Sequence, residues 1–332
     1  MIALSLSQGA VKPNPGDGAD PRGNSLLTAG VSGRGPLIAT LGSDSERPPL
    51  NPGKPSRTAI ATAAARAAHL HIYATTHIHA DDFALKLIGN LDPARLREAV
   101  QRWGTPNPAR MCAYFALRQR YSEDKLQEAV ERGVRQAILL GAGLDSLALR
   151  RPALAQEITL VEVDHPESQR WKLARLEELR LDTPGVIYVP VDFGSEDLQQ
   201  RLVESGIHLD QPTFFSWLGV TQYIDREATD ATLNFIARQP RGSEVVFTFI
   251  VKNELVEAEE RAFSAAAADE SATLGEPWLT YFDPAELEEH LVELGFNAIE
   301  RLTPQLAVSR YYASQPADVT PVEAWQAVSA RV

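Results

Sequence analysis

From about Ala59 onward, apolar and polar positions fall into an ordered succession of helical and extended patterns. Residues 58–72 are rich in alanine and other helix formers, and residues 81–89 read as a second short helix that stops at Gly89. Residues 96–117 read as helix in pieces, broken at Gly104-Thr-Pro-Asn-Pro108, after which Ser122 caps a helix over 123–132. Beyond Gly133 the pattern changes. Short apolar runs of strand length at 137–140, 158–163, 186–191, 213–217 and 244–251 alternate with helical segments at 166–181, 196–204, 228–237 and 284–294. Strands separated by single helices predict a doubly wound α/β sheet. Two more strands are expected near 296–301 and 307–313.

The first 55 positions are different. Of the chain's 21 glycines and 22 prolines, 17 fall there, and such a stretch buries too little apolar surface to offset its chain entropy. We expect a disordered tail over 1–57 and one domain over 58–332, with a helical cover over 58–135 and a lid insertion over 253–282. Within the lid, Glu254, Glu257, Glu259 and Glu260 read as a solvated helix face. Lys and Arg number 32 against 44 Asp and Glu, a net charge of −12 that argues against a nucleic-acid partner. The single cysteine, Cys112, excludes a disulfide framework. No apolar stretch approaches the roughly 20 residues that span a bilayer, and the start lacks the pattern of a signal peptide. A cytoplasmic protein with no membrane partner is expected.

In open parallel sheets, ligands bind beyond the carboxyl ends of the strands. Three predicted strand ends carry chemistry. Gly141-Ala-Gly143 leaves the backbone open to close approach, Asp164 is placed to reach ribose hydroxyls, and Asp192-Phe193 sets an acid beside an aromatic ring, suited to an adenine. Glu162, on the same strand face as Asp164, is an alternative acid. The dinucleotide fingerprint fails at Ser146, and Tyr121-x-x-x-Lys125, which mimics a dehydrogenase pair, precedes the glycine loop and reads as chance helix surface. His69, His71, His77 and His79 read as surface or lid residues, and no metal is expected, because His-x-His does not share a helix face and no Cys or tight carboxylate cluster completes a site.

An ordered set of motifs narrows the ligand: Arg118-Gln-Arg-Tyr121, the stretch 133–150, Val161-Glu-Val-Asp-His-Pro166, Pro190-Val-Asp-Phe193, Trp217-Leu-Gly-Val-Thr-Gln-Tyr223 and Gly275-Glu-Pro-Trp278. Over about residues 59–315 the chain resembles the leucine carboxyl methyltransferase family, in its bacterial branch of S-adenosylmethionine-dependent O-methyltransferases. The resemblance implies a mostly parallel seven-stranded class I (Rossmann-like) sheet and S-adenosyl-L-methionine as cofactor. It implies Arg118 on the methionine carboxylate, Gly141 and Gly143 in the loop, Asp164 on the ribose, and Asp192 with Phe193 at the adenine. Arg120 competes with Arg118 for its role. The eukaryotic members carry a glutamate where this chain has Leu218, so their protein substrate does not carry over. A small-molecule acceptor with a carboxylate or hydroxyl is expected; a hydroxyl would need a base, and His165, Tyr223 and His290 are candidates. The rival readings are a catalytically inactive binding module and, less favoured, a nicotinamide-dependent oxidoreductase.

Overall fold

The computed structural model describes residues 56–74, 77–193 and 196–332; the expected tail, apart from Ser56 and Arg57, lies outside them. Four helices come first: α1 (Arg57–Ala68), α2 (Asp82–Leu87), α3 (Pro93–Gln101) and α4 (Pro108–Glu131). The sheet region follows as β1 (Gln136–Leu140), α5 (Leu147–Arg150), α6 (Pro152–Glu157), β2 (Thr159–Asp164), α7 (Pro166–Leu179), β3 (Ile187–Pro190), α8 (Leu198–Glu204), β4 (Thr213–Trp217), α9 (Arg226–Ala237) and β5 (Glu244–Ile250). The chain then runs through α10 (Ala258–Thr273), α11 (Pro284–Leu294), β6 (Ala298–Leu302), α12 (Pro304–Ala307) and β7 (Trp325–Arg331). Local chemistry sets many helix starts. Ser56, Asp92, Asn107, Asp225 and Asp283 each accept a first-turn backbone N–H, and proline opens α3, α4, α7 and α11.

The seven strands lie in the order β3-β2-β1-β4-β5-β7-β6. All pair in parallel except β7, which runs antiparallel between β5 and β6. β1 is buried along its whole length, with Ile138 level with Val161 of β2 on one side and Phe215 of β4 on the other. The chain moves outward from β1 through β2 to β3, then returns to β4 and moves outward the other way. The switch point, where ligands bind in such sheets, therefore lies between β1 and β4. The cover helices bury Ala63, Ala64, Ala67, Met111 and Phe115 in a core shared with Ile250 of β5, Phe263 of α10 and Trp325 of β7.

Three local expectations fail for physical reasons. α4 runs unbroken for 24 residues; Ser122 is no cap but sits in its interior, its hydroxyl 2.9 Å from that of Ser216 on β4. Residues 307–313 are not a strand. Thr303 caps and Pro304 opens α12, and a π-helical turn, Val308–Tyr312, continues it. A short apolar run carries no period that separates helix from strand, so the cap decides. The seventh strand is instead Trp325–Arg331, whose buried Gln326 and Ser329 mask its apolar pattern; Ser329 donates to the buried Glu244.

Candidate active site at the switch point

The glycine loop leaves β1 with Gly141 at φ +68° and Gly143 at φ +50°, a region that favours glycine. Its backbone N–H groups are committed within the protein. Those of Gly141 and Ala142 donate to the Val163 carbonyl at 2.8 and 3.0 Å, and that of Gly143 donates to the Asp164 carboxylate. The other Asp164 oxygen accepts the His165 N–H at 2.7 Å. Asp164 is thus held rigidly at the end of β2. Burial raises its pKa, and the N–H groups of His165 and Gly143 work against that rise. Close approach explains the glycines differently from a ligand cradle: a Cβ on Gly141 would stand 2.4 Å from Val220, and one on Gly143 would stand 3.3 Å from Ala59 of α1.

On the β4 side of the switch point, Arg118 reaches in from α4. It is buried, its guanidinium lies over the Phe115 ring at 4.7 Å, and it bonds the Tyr114 phenol. Beneath it is Gly219, at φ +72°, whose N–H donates to Thr248 at 2.7 Å. No carboxylate among the described residues forms an ion pair with Arg118, and burial and the neighbouring Arg66 both work against its charge. Arg120, two residues on and pointing elsewhere, pairs with Asp124 at 2.7 Å on an exposed face. Tyr223, in the turn after β4, lies close enough to Arg118 to feel its charge, and burial raises the pKa of its phenol.

The cover is latched to the loop by buried charges. Asp81, fully buried, accepts Arg66 Nε at 2.8 Å, the Ser146 hydroxyl at 2.6 Å and the Ala84 N–H at 3.0 Å. Burial alone would raise its pKa, but Arg66 and Arg150 hold it near 2. Arg66 also donates to the Leu144 carbonyl at 2.7 Å, and Gln119 to Asp145 at 2.6 Å. Arg150 bridges to Glu123 of α4. Nothing in the spacing of Arg66, Asp81, Glu123 and Arg150 along the chain shows that they meet. Only Arg66 carries a signal in the sequence, a charge inside an alanine-rich helix.

Several candidates fall elsewhere. Glu162 is no substitute for Asp164: it forms a buried ion pair with Lys172 of α7. Tyr121 is fully buried rather than at a surface, donating to Glu300, to which Lys125 also pairs at 3.2 Å. His69 and His79 are buried, not surface residues; burial lowers their pKa to about 4 and about 3, so both are neutral. His165 Nδ1 caps α7 by accepting the Glu167 N–H at 3.2 Å. His290 lies on α11, paired with Asp230 at 3.1 Å. Asp192 follows β3, its N–H donating to Glu196 at 2.7 Å, and the half-buried Phe193 packs against the core beneath. Leu218 packs against the α4 side of the sheet. Glu260 is buried, not solvated: it pairs with Arg110 and accepts the N–H groups of Glu323 and Ala324 at 2.9 and 3.2 Å.

The sheet order is that of the class I methyltransferase fold. A structure provisionally described as a methyltransferase from Thermobifida fusca YX superposes with a TM-score of 0.50, over 84% of this chain and 95% of that one, at 17% identity. The sequence pattern of the leucine carboxyl methyltransferase family matches residues 59–237, more than half of the chain, and the chain belongs to that family. Among its relatives, YktD of Bacillus subtilis (strain 168), provisionally named an S-adenosyl-L-methionine-dependent methyltransferase, is 32% identical over 197 residues, 56% of this chain. The match spans 62% of the length of YktD. A similarly named protein of Mycolicibacterium smegmatis is 30% identical over 228 residues, covering 64% of this chain and 69% of that one. No helix of the described residues is long and apolar enough to cross a membrane.

Proposed function

We propose that the chain binds S-adenosyl-L-methionine at the switch point and transfers its methyl group to an oxygen of a small molecule, with a carboxylate as the favoured acceptor. The observation that carries this reading is Arg118. A guanidinium buried without a carboxylate partner is costly to the fold, and its planar fork suits a bidentate carboxylate such as that of the methionine moiety. Asp164, fixed by two backbone N–H groups, would accept the ribose hydroxyls, with Asp192 and Phe193 toward the adenine. The cofactor supplies an electrophilic sulfonium methyl.

The chain's own contribution is alignment, which is worth on the order of 7–11 kcal/mol at best. Of the three candidate bases, only Tyr223 stands on the β4 side of the switch point, near Arg118. Its raised pKa keeps the phenol protonated at neutral pH, so it can donate a hydrogen bond but is a poor proton acceptor. A carboxylate acceptor is already ionised and needs no base, whereas an aliphatic hydroxyl needs one. The test is transfer of a labelled methyl from S-adenosylmethionine to a panel of carboxylic acids and their matched primary alcohols. Labelling confined to the acids supports the reading, and labelling confined to the alcohols overturns the acceptor assignment.

A further inference from the structure

A second lid carboxylate, besides Glu260, reaches the cover at the start of α1. Glu276, in the turn after α10, accepts the Ser56 hydroxyl at 2.9 and 3.2 Å and also the Thr58 hydroxyl. Those two hydroxyls are 2.8 Å apart, and Ser56 Oγ at the same time caps the Ala59 N–H at 3.2 Å. An anion here also faces the N-terminus of the 12-residue α1, which favours negative charge.

The position of this contact matters more than its strength. The Ser56 N–H reaches the hydroxyl of Ser168, in the first turn after Asp164, at 3.4 Å. Ala59 abuts Gly143, whose N–H holds Asp164. The strand-end acid and the glycine loop therefore lie along the segment that Glu276 pins. On the lid side, the buried Ser271 donates to the Glu276 carbonyl at 2.6 Å and lies 3.4 Å from the Tyr223 phenol oxygen. One residue thus joins the wall near Asp164 to the wall near Arg118.

Resting on the cofactor reading above, we propose that Glu276 is a positioning residue: acting through Ser56 and Thr58, its carboxylate closes the cover over the ribose end of the cofactor, while its main-chain carbonyl anchors the lid turn at Ser271, beside Tyr223. A clasp that only stabilised the fold would lower the melting temperature and leave ligand release unchanged. The distinguishing experiment is stopped-flow release of S-adenosylhomocysteine from the full chain, followed by tryptophan fluorescence. For Glu276→Gln we expect release about tenfold faster, from weakened charge-assisted hydrogen bonds, and a ligand-free melting temperature within about 2 °C of wild type. Ser56→Ala with Thr58→Val should give the same release rate, and adding Glu276→Gln to that pair should change it no further. Unchanged release in Glu276→Gln, or additive effects in the combined variant, overturns the proposal. Wild-type protein that fails to bind S-adenosylhomocysteine overturns the cofactor reading as well; binding with unchanged release in the variant overturns only the role of Glu276.

Discussion

Gly219 lies directly under the guanidinium of Arg118: a Cβ at that glycine would stand 2.4 Å from Nη1 and 3.1 Å from Cζ. The neighbour is the far end of a flexible side chain, so the clash moves the guanidinium rather than the backbone. Gly219→Ala should therefore cost about 1–2 kcal/mol from its positive φ and weaken S-adenosylhomocysteine binding by about tenfold, as a displaced charge-assisted pair does. Calorimetry and a denaturant titration, run on the same preparation, separate the two effects. Intact affinity would show that Arg118 is not where the cofactor carboxylate binds.

Among the described residues, the hydrogen bonds to the Asp164 carboxylate come from backbone, the N–H groups of Gly143 and His165. Asp164→Ala removes the acceptor for both and the proposed contact with ribose. We expect S-adenosylhomocysteine affinity to fall by well over about tenfold. NAD should bind neither form. An unchanged titration curve for the variant would remove Asp164 from the site.

The Glu162–Lys172 pair is buried on both sides and makes a pH-dependent prediction. Burial raises the pKa of Glu162, to about 7, with Lys172 the chief opposing influence. Lys172→Met leaves the carboxyl buried without its cation, at a cost of about 3–5 kcal/mol when ionised. A carboxyl whose folded pKa is raised contributes most below its unfolded value and loses that contribution as pH rises through the folded value. The deficit of the variant should thus be small near pH 5 and grow toward pH 8, as read by urea unfolding at the two pH values. A deficit independent of pH, or larger in acid, would contradict this account of the pair.

The centre of the sheet was legible because β1, β2, β4 and β5 sit inside it, and buried parallel strands show as continuous apolar runs. The edges were harder. β7 carries Gln326 and Ser329 inward, where Ser329 bonds Glu244, so its alternation looks polar. The strand-end residues Gly143 and Asp164 were legible because a parallel sheet brings those ends together, and the Gly143 N–H donates to the Asp164 carboxylate. Spacing alone did not separate Arg118 from Arg120. Two residues apart on a helix, they point in different directions, and only packing shows which one is buried. Buried ion pairs were invisible for a related reason: Glu260 finds Arg110, 150 residues away, and in sequence such a glutamate looks like any solvated one.

On the proposed reading, Arg118, which has no carboxylate partner among the described residues, receives the carboxylate of a sulfur nucleoside. The most direct measurement is calorimetric titration of wild type and Arg118→Met with S-adenosylmethionine, S-adenosylhomocysteine and NAD in parallel. The account predicts micromolar binding of both sulfur nucleosides to wild type and silence from NAD. For Arg118→Met it predicts affinity lower by at least about tenfold, with a melting temperature equal to or above wild type, since a buried uncompensated charge is gone. Binding of NAD alone, or full affinity in the variant, would contradict it.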